Sequence, residues 1–96
     1  MGPGKAELIE RIAATGSISA AARAMGMSYR RAWQLVEALN KDYRERMVTT
    51  AAGGTRGGGA RITPFGLRVI AEYRAMEEKA SAAIAGDLRR FQRYIP

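Results

Sequence analysis

Three features of this 96-residue chain predict a mainly α fold of the α+β class. Between Ile18 and Leu35 two short apolar-periodic helical patterns meet at Gly26. Between Met47 and Thr63 two β-branched runs flank a ten-residue segment, 51–60, that holds five glycines. From Pro64 a single helical periodicity then runs for several turns. Together these describe a winged helix-turn-helix: a three-helix core, a two-stranded glycine-tipped wing and a long C-terminal helix suited to dimerisation.

The elements follow in order. Met1-Gly-Pro-Gly4 reads as a turn, and over 5–14 the spacing of Leu8, Ile9, Ile12 and Ala13 gives one apolar face, with Glu7, Glu10 and Arg11 outward. Gly16 stops this helix, and Ser17 or Ser19 caps the next. The second helix is short and carries Ile18, Ala21, Ala22 and Met25 inward. Its alanines permit a close helix crossing, and Gly26 supplies the positive φ of the turn that follows. Ser28 is the N-cap of a third helix reaching to about Tyr43, with Met27, Ala32, Leu35, Val36 and Leu39 buried. Trp33, flanked by Ala32 and Val36, reads as a packing residue.

Residues 47–50 and 60–63 are the wing strands, and a tip this rich in glycine bends easily but loses much entropy on ordering. Thr63-Pro64 restarts helix with a cap and the proline preferred at the first helical position. The first half of the pattern Phe65, Leu67, Val69, Ile70 covers the core of its own domain. Its second half, Tyr73, Met76, Ala80, Ala83 and Ile84, has no helix left to cover and points to a second copy of the chain. Gly86-Asp87 is expected to end or kink this helix before a basic last piece with Leu88 and Phe91. The whole is read as one domain over 1–96, with 5–63 the helix-turn-helix core and wing and 64–94 the dimerisation helix.

Charge indicates the partner. Sixteen Lys and Arg stand against nine Asp and Glu, a net +7. Residues 17–61 carry eight basic and three acidic groups, so most of the surplus lies around the third helix and the loop after it. That is the electrostatic footprint of a polyanion binder. The chain has no cysteine and no histidine, which removes thiolate and imidazole metal sites, cysteine nucleophiles and the Ser-His-Asp triad. No enzyme activity, cofactor or metal is therefore expected. The wing glycines are not followed by Gly-Lys-Ser/Thr, so they do not form a nucleotide-phosphate loop. Neither a long apolar run nor a secretion signal is present, and a soluble cytoplasmic protein with no membrane partner is expected.

A helix-turn-helix lays its second helix in the major groove of double-stranded DNA. Arg30, Arg31 and Gln34 are then the candidates to read bases or phosphates, Ser28 and Tyr29 to position the helix, and Arg23, Arg56 and Arg61 to hold phosphates, the last two from the wing.

Gly16-Ser-Ile-Ser19, Ala21-Ala22, Gly26-Met-Ser-Tyr29, Ala32-Trp33, Leu39-Asn40, Val48, Gly53-Gly54, Gly57-Gly-Gly-Ala60 and Thr63-Pro-Phe-Gly66 closely resemble the DNA-binding domain of the ModE-type molybdate-responsive transcription regulators. A more distant likeness, through Gly-Ser-Ile-Ser and Ala-Ala, is to LysR-type regulators. The resemblance covers about residues 5–84 and implies a homodimer on a palindromic operator, with dimer contacts from the first helix, Leu8 and Ile12, as well as from the last. It differs at Thr50 and Thr55, where the family usually carries basic residues, with Arg56 beside them. The molybdate-binding domains of the family have no counterpart in these residues, so a stand-alone domain that binds no molybdate is expected. Two rival functions are a one-domain partner that heterodimerises with a full-length regulator, and an architectural protein that binds DNA without regard to sequence.

Overall fold

A computed structural model of the chain describes residues 1–51 and 59–96. Helices α1 (Pro3–Thr15), α2 (Ile18–Ala24) and α3 (Tyr29–Asp42) are followed by strands β1 (Val48–Thr50) and β2 (Ala60–Ile62) and by the long helix α4 (Pro64–Phe91), which ends in a 3-10 turn, Gln92–Tyr94. The expected architecture is present. The expected glycine tip over 52–58, Arg56 included, lies outside the described residues.

Helix α1 begins two residues earlier than expected, because Pro3 has the φ that a first helical residue needs and lacks only an amide that would be unpaired there. It buries Ala6, Leu8, Ile9 and Ile12, while Ala13, expected on the same face, is exposed. Gly16 ends the helix with φ 70°, its N–H donating to the Ile12 carbonyl at 2.7 Å. Of the two candidate caps of α2, Ser17 acts: its Oγ accepts from the Ala20 amide at 3.0 Å.

The turn between α2 and α3 is a Schellman motif. The Met27 N–H reaches back to the Ala22 carbonyl at 3.0 Å and the Gly26 N–H to that of Arg23 at 3.2 Å, which pairs two carbonyls left over at the helix end. Gly26 sits at φ 68°, a conformation that costs a side chain with a Cβ about 1–2 kcal/mol. Ala21, Ala22 and Ile18 pack inward from α2 against Ala32, Val36 and Leu39 of α3.

Asn40, near the end of α3, fixes the start of the hairpin. Its Oδ1 accepts from the amides of Met47 (2.8 Å) and Val48 (3.0 Å), and its Nδ2 donates to the Val48 carbonyl (3.1 Å). The strands pair antiparallel, Val48 with Ile62, Thr49 with Arg61 and Thr50 with Ala60. The Ala60 N–H also donates to the Gly16 carbonyl at 2.9 Å, so the hairpin is tied to the end of α1.

Thr63 caps α4 as expected, its Oγ1 accepting from the Gly66 amide at 2.9 Å and donating to the Arg46 carbonyl at 2.7 Å. A Cβ on Gly66 would lie 2.6 Å from the Met47 carbonyl oxygen and 2.8 Å from Ile62 Cγ2, so α4 crosses the hairpin at a distance that only glycine allows. Phe65 and Ile70 are buried beside it; Leu67, expected in the same layer, is exposed. Farther along, Arg74 bonds both oxygens of Glu10 on α1 (2.6 and 3.0 Å) and reaches Glu77 at 2.7 Å. The Arg74 bonds hold the Glu10 carboxyl below its ordinary range. This link is complete above the ordinary titration range of a glutamate and is lost as pH falls through the lowered value.

The break expected at Gly86-Asp87 does not occur, and α4 continues to Phe91. A mid-helix glycine costs only about 1 kcal/mol against alanine, and Asp87 pairs with Arg90 one turn on. At about 1.5 Å per residue the 28 residues of α4 span about 42 Å, most of the molecule's 56 Å long dimension.

The two α4 glycines predict opposite responses to one substitution. Gly66→Ala forces the helix away from Met47 and is expected to destabilise by about 1–3 kcal/mol. Gly86→Ala meets only the ends of Arg89 and Arg90 at 3.7 and 3.8 Å and should be neutral or stabilising by up to about 1 kcal/mol. Urea unfolding of both variants checks this, and equal effects would contradict the close approach.

Candidate nucleic-acid interface

Helix α3 owes its start to Ser28, whose Oγ accepts from the Arg31 amide at 3.1 Å. The remaining amides of that first turn face solvent together with the positive end of the helix dipole, an arrangement that favours anions. Ala32, Val36 and Leu39 turn inward, and the opposite side carries the exposed side chains of Ser28, Tyr29, Arg30, Arg31 and Gln34. Arg30 and Gln34 lie one turn apart on one line of the helix, and Tyr29 and Trp33 on the next.

The arginines here are free. Among the described residues the ion pairs are Glu7 with Arg11, Glu45 with Arg44, Glu10 and Glu77 with Arg74, and Asp87 with Arg90. None involves Arg23, Arg30, Arg31 or Arg61. Arg23 is exposed in the last turn of α2, just before the Gly26 turn, and Arg61 is exposed on β2 opposite Thr49. The structure thus places Arg30, Arg31 and Gln34 on one helix face, with Arg23 and Arg61 on separate neighbouring elements. Arg56 lies outside the described residues.

Two expectations about side-chain placement need correction. Trp33 is not packed into the core: about 100° of helix rotation separates it from Ala32, and it is 37% exposed. Leu8 and Ile12, expected at a dimer contact, are fully buried among the protomer's own core residues. They have no surface to offer a partner. Tyr73 is half-buried against the same core, and burial raises its pKa. Met76, Ala80, Ala83 and Ile84 are exposed, Met76 at 62% and Ile84 at 50%. Because α4 does not break at Gly86, their stripe extends through Leu88 and Phe91, the latter edge-to-face with Tyr94 at 6.1 Å. Asn40 is the positioning residue that periodicity alone does not single out; its signals in the sequence are a polar side chain next to buried Leu39 and its place in the Leu39-Asn40 pair of the family resemblance.

Residues 4–67 match the profile described as bacterial regulatory helix-turn-helix protein, lysR family. The chain belongs to this family. It is thus a DNA-binding transcription-regulator domain of LysR type, not an enzyme. It is 45% identical over 95 residues to the molybdenum-pterin-binding protein MopB of Rhodobacter capsulatus, covering 99% of this chain and 34% of MopB. To the molybdenum transport protein ModE of Azotobacter vinelandii it is 35% identical, covering 92% of this chain and 37% of that protein. The chain therefore spans about a third of the length of these relatives. Among solved structures, the DNA-binding domain of CbnR in its DNA complex superposes with a TM-score of 0.67 at 22% identity, over 94% of this chain and 95% of that one. Full-length LysG of Corynebacterium glutamicum gives 0.62, also at 22% identity, over 92% of this chain and 30% of that one. These two likenesses are of fold. Among the described residues no helix is long and apolar enough to cross a membrane, and no three acidic, His or Cys side chains gather as a metal site.

The cap on this LysR-type helix separates folding from binding. Ser28→Ala is expected to cost about 1 kcal/mol of stability. Ser28→Asp keeps a capping acceptor and suits the helix dipole, so thermal stability should hold while DNA affinity falls through repulsion from phosphates. Equal DNA affinity for Ser28→Asp and the parent would place this helix end away from the DNA.

Proposed function

We propose that this chain binds a palindromic operator in duplex DNA as a homodimer, in the cytoplasm, with α3 in the major groove and the wing on the backbone or minor groove. The observation that carries this reading is the face formed by Tyr29, Arg30, Arg31 and Gln34, exposed at the capped start of α3, with both arginines free of carboxylates. A guanidinium held this way forms bidentate bonds to guanine or to phosphate. Ser28 and Tyr29 position the helix end; Arg23, Arg61 and Arg56 supply phosphate contacts. Residues 5–63 form the DNA-binding core and wing of a single domain, and 64–94 the dimerisation helix, whose first turns also close the core.

Dimerisation follows from cost and geometry. Met76, Ala80, Ala83, Ile84, Leu88 and Phe91 leave an apolar stripe in water along a helix that already has its own core. A single reading helix seldom reaches specific affinity alone. Two copies related by a two-fold axis present their reading helices to successive major grooves, about 34 Å apart.

Selection from a random duplex pool should return two inverted half-sites about one helical turn apart. With about four phosphate contacts per subunit, log K should fall against log salt with a slope near about −7. An asymmetric site, or a slope flatter than about −2, contradicts the dimer or the phosphate assignment respectively. Arg30→Ala or Arg31→Ala should relax preference at a defined base by about 1–3 kcal/mol, whereas Arg61→Ala weakens all sequences alike.

Ala80→Glu with Ile84→Glu is expected to give a folded monomer that keeps only weak, sequence-independent DNA affinity, because each carboxylate would face its mate across the axis. Analytical ultracentrifugation at micromolar concentration checks it. A double variant that still sediments as a dimer puts the interface elsewhere, and a wild-type monomer that captures a longer regulator would favour heterodimerisation.

A further inference from the structure

Trp33 is a large aromatic side chain that lies outside the buried core, at its edge. It is 37% exposed, and its indole N–H makes none of the described hydrogen bonds. Tyr29, one turn before it, is 56% exposed. Residues four apart on a helix are surface neighbours, so the two rings form an apolar strip beside the polar line of Arg30 and Gln34, in the first turns of the helix that enters the groove. Among the described residues the other large exposed side chains lie mostly on α4, on the stripe proposed above for dimerisation; these two do not.

The chemistry of a duplex limits what such a strip can meet. Its bases are stacked and closed to an inserted ring, and the phosphates favour cations. In the major groove the one apolar group on a base edge is the 5-methyl of thymine. We propose that Trp33, supported by Tyr29, is a specificity-determining residue that recognises thymine by its 5-methyl group, leaving Arg30 and Gln34 to read hydrogen-bonding edges. The proposal rests on α3 being the reading helix and adds the base that its apolar flank selects. The indole N–H, free in the unbound protein, is available to a neighbouring acceptor such as thymine O4 or a purine N7.

Trp33 is the only tryptophan, so its fluorescence reports on this side chain alone. In the free protein at a concentration where the chain is dimeric, emission should be red-shifted and readily quenched by acrylamide. The duplex selected from the random pool should shift it to the blue and shield it from the quencher. In that duplex, replacing thymines by deoxyuridine one at a time should weaken wild-type binding about fourfold at one thymine of each half-site, the effect of burying a single methyl group. Trp33→Ala should bind the thymine and deoxyuridine duplexes equally, and Trp33→Phe should restore part of the discrimination.

Three results overturn the proposal. One is a Trp33 that is already shielded in the free dimer, another is a Trp33 that stays open to acrylamide in a complex that forms, and the third is a Trp33→Ala variant that keeps the thymine preference. In each of these the reading of α3 stands. If no duplex binds in mobility-shift assays, that reading falls and the proposal falls with it.

Discussion

The direction of α3 depends on a turn of four residues. Met25 to Ser28 must reverse the chain tightly enough for Ala21 and Ala22 to meet Ala32, and must do so with the first-turn amides of α3 still facing outward. The left-handed φ of Gly26 makes the two backward hydrogen bonds possible, and Ser28 then begins the next helix with its own oxygen. A residue with a Cβ at 26 would strain that turn, and a residue without an acceptor at 28 would fray the helix it opens. The basic face is therefore positioned by backbone chemistry rather than by contacts of the arginines themselves. This is consistent with their being unpaired, since a side chain that is to meet DNA gains nothing from a partner within its own chain.

A second set of constraints holds the remainder to this turn. Asn40 places the hairpin on the end of α3, the Gly16 carbonyl ties β2 to α1, and Gly66 allows α4 to cross the hairpin at contact distance. Each is a short polar or steric contact around an apolar centre of Leu8, Ile9, Ile12, Val36, Leu39 and Val48. Charge on α4 is managed differently. Arg74 is engaged by Glu10 and Glu77, and Arg90 by Asp87, so two of the arginines of the long helix are paired beside its apolar stripe, whereas Arg30 and Arg31 at the start of α3 are free.

Periodicity and caps made most of the fold legible. Gly16, Ser17, Gly26, Ser28 and Thr63-Pro64 each mark an element boundary by a mechanism local to a few residues, and all five act in the structure as that mechanism requires. What periodicity could not resolve was which neighbour covers a residue. Leu8 and Ile12 have the spacing of an outward stripe or an inward one, and only the packing of α2 and α4 over α1 decides for inward. The company of Ala32 and Val36 suggests a core position for Trp33, yet a single residue step from Ala32 turns it onto the open flank. Gly86 resembled a terminator because glycine weakens helices everywhere, but its cost is smaller than what a turn of helix beyond it recovers. Pro3 starts α1 by the same rule that places Pro64 at the start of α4.

The central claim is that the open face of α3 is the surface that meets DNA. Backbone amide chemical shifts recorded during titration with a short duplex test it residue by residue. Shifts concentrated over residues 28–34, with weaker ones at Arg23 and along β2, are the predicted result. Shifts concentrated on residues 76–91 of α4, with 28–34 unchanged, would contradict it.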